Sequence, residues 1–494
     1  MLSPSSSHGV LALFLLWLLL KLFTTTRVAL ATGLRAVPGP FLSRWTVLPL
    51  KWKVISGYRT QYIHSLHKRY GPFVRISPTE IAISDVESFK AIHKIGSGFL
   101  KSEWYTKFNE SDSGPGLFSM VDAKQHAVRR KLFAQSFSNS SILKYEAAVR
   151  DKIILAVSKI ERDARSGTAD VLKWWTFMAT DVSGQLSFGR SFDMLHLEQK
   201  TEYIRDLETA QMVAGIRAEL APLVAIAGYI PVPSLQSALK LGPRLQSYGQ
   251  KAIQNLYKYT QPDGSNATAP TTRPSYLFSS FVNSKHLRED EIAQEAGNLI
   301  VAGSDTTAVS LTYLTWAVLH PRNTRVRERL LAEVNTLPED APFSEVAQLQ
   351  YLRAVVDESL RLFCAAPGSL PRAVPEPGVT LGKYFIPAGT TVSTQAFTLH
   401  RDANIFADPE VFNPDRWLDA SAEMRSAYVP FGAGSRTCIG MHLALLEMQL
   451  AAFVFLKRMP EARLASVQEA DRDMEFENYF LIAPRGHKCE VTLV

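Results

Sequence analysis

The densest chemistry in this 494-residue chain lies in ten residues near its C-terminus, Phe431-Gly432-Ala433-Gly434-Ser435-Arg436-Thr437-Cys438-Ile439-Gly440. Residues 441–456 are mostly apolar and helical in pattern, so Cys438 is expected in a glycine-rich loop at a helix N-terminus. Glycines there let the backbone pass close to something large and flat. The positive end of the helix favours a thiolate over a thiol. Backbone N–H groups just past the sulfur can donate to it and tune its electron donation. Two plainer readings compete. Gly432-x-Gly434 could open a dinucleotide fingerprint, but Thr437 stands where the third glycine belongs and no strand–turn–helix unit surrounds it. A lone cysteine also commonly packs as a small hydrophobe.

Three other strings stand out. Glu358-Ser359-Leu360-Arg361 sets a carboxylate and a guanidinium three apart on one helix face, close enough to pair. Glu202 and Arg205 satisfy the same spacing and are read as a solvated face. Ala302-Gly303-Ser304-Asp305-Thr306-Thr307 interrupts an apolar helix with polar residues, which either turn to water or serve chemistry. His126-Ala127-Val128-Arg129-Arg130-Lys131 is a basic helical segment whose plain reading is a solvated face.

The elements holding these residues are mostly helical. Helical patterns run over 142–163, 202–220, 287–319, 325–334, 349–362 and 441–456, and strand-like alternation is confined to 73–76, 80–83 and 390–394. A polar break at 261–274 separates front and back halves, and its Asn266 fits a glycosylation acceptor that a cytosolic body would leave unused. With 46% hydrophobic and 20% charged residues, disordered, collagen-like and coiled-coil classes are excluded. Length alone implies two to four domains of about 150 residues. Cys364, Cys438 and Cys489 are the only cysteines, too few for a disulfide framework and too far apart for a zinc site. The net charge of +7 is spread along the chain, which points to an acidic protein or membrane surface and not to nucleic acid.

Residues 10–20 are uninterruptedly apolar, too short a run for a bilayer that needs about 20 residues. The stretch 10–31 is long enough if Lys21 snorkels. Lys21, Arg27, Arg35, Arg44, Lys51 and Lys53 all lie downstream, so a retained anchor leaves the body in the cytosol. A cleaved signal peptide is the alternative, opposed by the lack of Lys or Arg before Val10 and of a clear cleavage site. Pro38-Gly39-Pro40 reads as a stiff hinge. The expected organisation is an anchor at 1–31, a hinge and linker at 32–49, and a body at 50–494.

The ten-residue string resembles the haem-binding loop of the cytochrome P-450 family, F-x-x-G-x-R-x-C-x-G, at Phe431, Gly434, Arg436, Cys438 and Gly440. The resemblance covers about residues 40–494 and replaces several domains with one large domain, mainly α with a small β portion. It implies haem b with Cys438 as axial thiolate and Arg436 on a propionate. The string Ala302 to Thr307 resembles the family's oxygen-activation motif A-G-x-[DE]-T-T. Ala302 and Gly303 would then let a ligand on the iron approach the helix where its hydrogen-bond ladder breaks, and Asp305 and Thr306 would relay protons to dioxygen. Glu358 and Arg361, with Arg416 of Phe412-x-Pro414-x-Arg416-Trp417, correspond to the family's Glu–Arg–Arg network beneath the haem. His126 and Arg130 match the His variant of a propionate-binding pair, and Arg372 of Leu370-Pro371-Arg372 matches a further one. Arg129 and Lys131 are left for a positive surface facing an acidic electron donor.

The implied activity is a monooxygenase reaction, hydroxylation or epoxidation of a lipophilic small molecule by O2. No flavin or nicotinamide domain is visible, so the resemblance implies an NADPH-dependent diflavin reductase on the same endoplasmic reticulum membrane. A haem-thiolate gas sensor or carrier is the alternative, and it has no need of Asp305 and Thr306. By family analogy the pocket wall takes Phe99, Trp104, Phe108, Phe118, the turn at 298–302, the segment 366–370 and Phe480, which suits a lipophilic substrate. His126 together with the F-x-P-x-R-W string looks like filamentous-fungal members, many of which tailor terpenoid or polyketide natural products.

Overall fold

The computed structural model describes residues 16, 19–20, 23–27, 32–108, 114–233, 236, 244, 247–251, 253–254, 276–278, 284 and 287–494. Most of the expected N-terminal span, and the whole break around Asn266, lie outside them. No helix among the described residues is long and apolar enough to cross a membrane.

In chain order the elements that matter to the site are α1 (Leu48–Ile55), α2 (Arg59–Tyr70), β1 (Phe73–Ser77), β2 (Glu80–Ile83), α3 (Val86–His93), β3 (Leu100–Lys101) and α4 (Trp104–Phe108). They continue with α5 (Ala123–Ala134), α6 (Glu146–Ser166), α7 (Val171–Phe188), α8 (Glu202–Ala227), α9 (Glu289–Leu319), α10 (Thr324–Val334) and α11 (Gln350–Phe363). Last come β4 (Arg372–Ala373), β5 (Thr391–Thr394), α12 (Met441–Arg458), β6 (Phe476–Asn478) and β7 (Ile482–Pro484).

At 31 residues, α9 is roughly 46 Å long. It runs through the middle, packed most extensively on α7 and also on α11 and α12. Helix α7 escaped the periodicity reading because it has almost no polar face: nearly every residue from Val171 to Phe188 is buried. A helix apolar all round must sit in a core. Its ends are nonetheless explicit, with the Asp170 carboxylate accepting from Leu172 N–H at 3.0 Å and Gly189 closing it at φ 77°. The N-terminus of α11 is capped from another element: the two Glu333 oxygens of α10 accept from Tyr351 and Leu352 N–H, each at 2.8 Å.

The main sheet has the order β1-β2-β5-β4-β3. Strands β2 and β5 are parallel, and the other neighbours are antiparallel. The β3–β4 ladder sets Lys101 directly opposite Arg372. The hairpin β6–β7 pairs Asn478 with Ile482, leaving Phe480 at its tip. Leu34 and Val37 are buried among strand residues such as Phe73, Ile81 and Val392. The packed body therefore begins inside the stretch expected to be a linker, because its apolar residues find a sheet face to cover.

Candidate functional site

The loop ahead of α12 is shaped by backbone constraints. Gly432 and Gly434 take φ values of 70° and 67°, and a Cβ on Gly434 would collide with the His93 carbonyl at the end of α3. Only glycine lets the loop lie that close. The Cys438 N–H donates to the Phe431 carbonyl at 2.9 Å, and Gly440 is the N-cap residue of α12. Burial pushes the Cys438 thiol up, against the opposing pull of the Gly440 N–H and Arg130. In this loop the cost of burying the charge outweighs the help of the helix end. Cys438 is nonetheless exposed, and so is Ala302 at the middle of α9. Open surface at both places, deep in a helical body, forms a cradle.

Cations converge on one side of it. Asp122 caps α5 by accepting from Gln125 N–H at 2.8 Å, which sets His126 and Arg130 one turn apart on that helix. Arg436 of the loop donates to the Met120 and Val121 carbonyls at 2.7 and 3.1 Å. Arg372 donates to Tyr105 Oη at 3.2 Å, and Lys101 donates to the Phe118 carbonyl. Among the described residues, none of these side chains forms an ion pair with a carboxylate. Burial and then Arg372 and Arg436 drive the Lys101 ammonium well below its usual range. Burial, Arg436, Lys101 and Arg130 hold His126 down at about 3, and burial with Arg372 and Arg130 brings Arg436 down to about 10. Like charges set directly opposite in a ladder are destabilising, so this group is built for an anion. A thiol for a metal and cations for carboxylates are the donor set that haem b requires, and the residues fit it. Lys101, Tyr105 and His93 were missed by sequence reasoning, since strand pairing brings Lys101 here and tertiary contacts bring Tyr105 to Arg372 and the His93 carbonyl to Gly434.

Glu358, Arg361 and Arg416 come together. Arg361 Nε donates to Glu358 Oε2 at 2.8 Å and its Nη2 to Oε1 at 2.9 Å, while Arg416 Nε reaches Oε1 at 3.2 Å. Glu358 and Arg361 are wholly buried. The carboxylate also takes Trp417 Nε1 at 2.9 Å and Asn413 N–H at 2.8 Å. His400 ties this network to the cysteine loop: its Nδ1–H donates to the Arg361 carbonyl at 2.9 Å, and its Nε2 accepts from Val429 N–H at 2.8 Å. The decoys Glu202 and Arg205 are both exposed.

The central helix departs from expectation in two ways. It runs unbroken from Glu289 to Leu319, so the ladder does not open near Gly303. A Cβ on Gly303 would stand 2.8 Å from Ser183 Oγ, so the missing side chain serves close packing on α7. Thr306 Oγ1 donates to the Ala302 carbonyl at 2.8 Å, and Asp305 is half-buried. Arg129 is not part of a positive surface: it is buried, paired with Glu291 at 2.6 Å and Glu295 at 3.1 Å. Lys131 is exposed. Cys364 and Cys489 are buried, and burial lifts the Cys364 thiol to about 12 and Cys489 in the same direction.

A small, partly open pocket is lined by Val54, Arg59, Trp104, Glu219, Leu370 and Phe480, among others. Trp104, Phe480 and most of the segment 366–370 line this pocket. Phe118 meets Phe480 edge to face with ring centroids 5.3 Å apart. Phe99 packs instead against the apolar cluster of the sheet, and the Phe108 side chain lies outside the described residues.

A glycine-shaped cysteine loop at the start of α12, flanked on one side by cations that form no ion pair with a carboxylate among the described residues, defines the haem-thiolate class. The family model for cytochrome P450 matches residues 38–490. The chain is 43% identical to the cytochrome P450 monooxygenase tazI of Aspergillus terreus over 98% of both chains. It is 37% identical to the cytochrome P450 monooxygenase stcB of Emericella nidulans, over 94% of this chain and 90% of that one. It is 36% identical to the cytochrome P450 monooxygenase orf2 of Aspergillus niger over 96% of both. The chain belongs to the cytochrome P450 family. It is a haem-thiolate monooxygenase, with haem held through a cysteine thiolate.

Proposed function

We propose that this enzyme uses Cys438 as the iron ligand and performs a hydroxylation or epoxidation in the tailoring of a lipophilic natural product of terpenoid or polyketide type. The observation that carries the assignment is the exposed Cys438 beside five cationic or basic side chains, Lys101, His126, Arg130, Arg372 and Arg436. Bound haem supplies the iron that activates dioxygen, one atom of which enters a C–H or C=C bond while the other leaves as water. Cys438 supplies the sulfur, and the Gly440 N–H holds its charge. The cations would neutralise the carboxylates of a bound haem, with Phe431 and Gly434 keeping the loop in place. Thr306 Oγ1 now donates to Ala302 O; a rotation about χ1 redirects that proton into the cradle, and Asp305, one residue away, replaces it from solvent.

Two further parts of the reading concern partners. A retained anchor at 1–31 in the endoplasmic reticulum membrane is supported by the apolar run and by exposed apolar residues beyond it. Trp52 is 66% and Tyr229 90% exposed. Electrons come from an NADPH-dependent diflavin reductase, for which exposed Lys124 and Lys131 offer positive charge on the face of α5.

Carbon monoxide added to the reduced protein tests the core of this reading. A Soret band near ~450 nm that disappears in Cys438→Ala is expected; its survival in that variant sinks the assignment. Thr306→Ala is expected to keep NADPH consumption while product falls by about tenfold or more. Unchanged behaviour of that variant favours a gas sensor or carrier.

A further inference from the structure

Residues 114–121 lead into α5, and side chains from three other elements fasten this strap in place. Gln294 Nε2 of α9 donates to the Gly114 carbonyl at 2.9 Å. The next residue of α9, Glu295, accepts the Leu117 N–H on Oε1 at 2.6 Å. Lys101 of β3 donates to the Phe118 carbonyl. Arg436 of the cysteine loop donates to the Met120 and Val121 carbonyls. Within the strap, the Met120 N–H closes a turn onto the Gly116 carbonyl at 2.9 Å. One end is therefore held by the central helix and the other by two cations of the cradle.

Glu295 is the joint at the first end. It is 3% exposed, and its Oε1 also takes Arg129 Nη1 of α5 at 3.1 Å. Burial pushes its carboxyl up, while Arg129 and the Leu117 N–H pull it toward the charged form. A Cβ on Gly116 would stand 2.5 Å from Asn298 Nδ2 and 3.4 Å from Glu295 Oε2, so the strap backbone lies directly against α9. At the second end the acceptors are neutral carbonyls. They hold two long side chains without cancelling their charge.

We propose that Glu295 is a positioning residue for haem: without touching it, the carboxylate pins the strap whose carbonyls keep Lys101 and Arg436 in place at the cradle. When the strap lifts, both side chains regain rotamers that must be surrendered again on binding a carboxylate. The grip on haem weakens although no cation has been lost. Charge alone predicts the opposite sign, since removing an acid near a group of cations holds an anion more tightly.

The test uses the full-length, haem-loaded protein and reads haem transfer to excess apomyoglobin together with amide hydrogen exchange. Glu295→Met and Glu295→Gln both remove the charge, but only the amide can still accept the Leu117 N–H. Glu295→Met is expected to speed haem transfer about tenfold, the worth of one hydrogen bond to a charged group. Its Leu117 and Met120 amides should exchange about tenfold faster, with those of α12 within about twofold of wild type. Glu295→Gln should stay within about threefold of wild type on both readouts. Gly116→Val pushes the strap off α9 with every charge in place, should act like Glu295→Met, and carries the test if that variant does not fold. Haem transfer unchanged or slowed in Glu295→Met overturns the proposal, as does equal speeding by Met and Gln. Exchange raised equally in α12, or a strap loosened by Gly116→Val with haem transfer unchanged, overturns it too. The inference rests on the cradle being the haem site: a wild-type carbon monoxide band near ~450 nm that survives Cys438→Ala counts against that site. Loss of the band there, with haem transfer unchanged in the strap variants, counts against Glu295 alone.

Discussion

Single residues carry two kinds of stored cost in this protein, and each predicts a measurable response. Lys101 and Arg372 face each other across a ladder with Arg436 close enough to push on both. In the haem-free protein Lys101→Met removes repulsion and is expected to raise stability by about 0.2–1 kcal/mol. In the haem-loaded protein the same change should speed haem loss to a scavenger, because a propionate loses a partner. An effect of one sign in both states would contradict the cradle assignment. Glu358 is the reverse case, a buried carboxylate with five donors. Arg361→Met strands it and should cost roughly 3–5 kcal/mol in urea unfolding.

At the scale of elements, the contact of α9 with α7 decides where the central helix lies. Gly303→Ala drives a methyl into Ser183 Oγ, and unfolding should show a loss of about 1–3 kcal/mol from overpacking. Ser183→Ala in the same chain is expected to recover part of it. Full stability of Gly303→Ala would mean that the glycine serves the cradle after all, as the motif had implied. The expected elements at 80–83, 287–319, 349–362 and 441–456 match observed ones to within a few residues, because each has a patterned face and a marked end. Helix α7 had no pattern to read, since burial on all sides erases the 3.6-residue period.

Across the whole molecule, buried histidines set the response to acid. His93 and His400 are held down at about 3 and His64 at about 4, chiefly by burial. A histidine whose folded value is depressed contributes stability that is complete above its unfolded value near 6.5 and lost as pH falls toward 3. Each such group adds a slope approaching 1.4 kcal/mol per pH unit, flattening below the folded values. Melting temperature should therefore drop steeply between pH 6.5 and pH 4. For His400 the chemistry is explicit: a proton on Nε2 ends its acceptance of the Val429 N–H, two residues before the cysteine loop. A melting temperature flat over that window would contradict this.

The order of residues alone determined the chemistry within each short string. A thiol among glycines before a helix, a Glu and an Arg three apart, and an acid beside an alcohol are local arrangements that backbone geometry fixes over a turn or two. Tertiary structure decided everything that depends on who faces whom. Lys101 joined the cations through a two-residue strand pair, Arg129 left the surface for Glu291 and Glu295, Gly303 turned to Ser183, and Arg59 reached the pocket wall. Those partners lie tens to hundreds of positions apart, and nothing short of the folded packing brings them within the few ångströms over which charge and contact act.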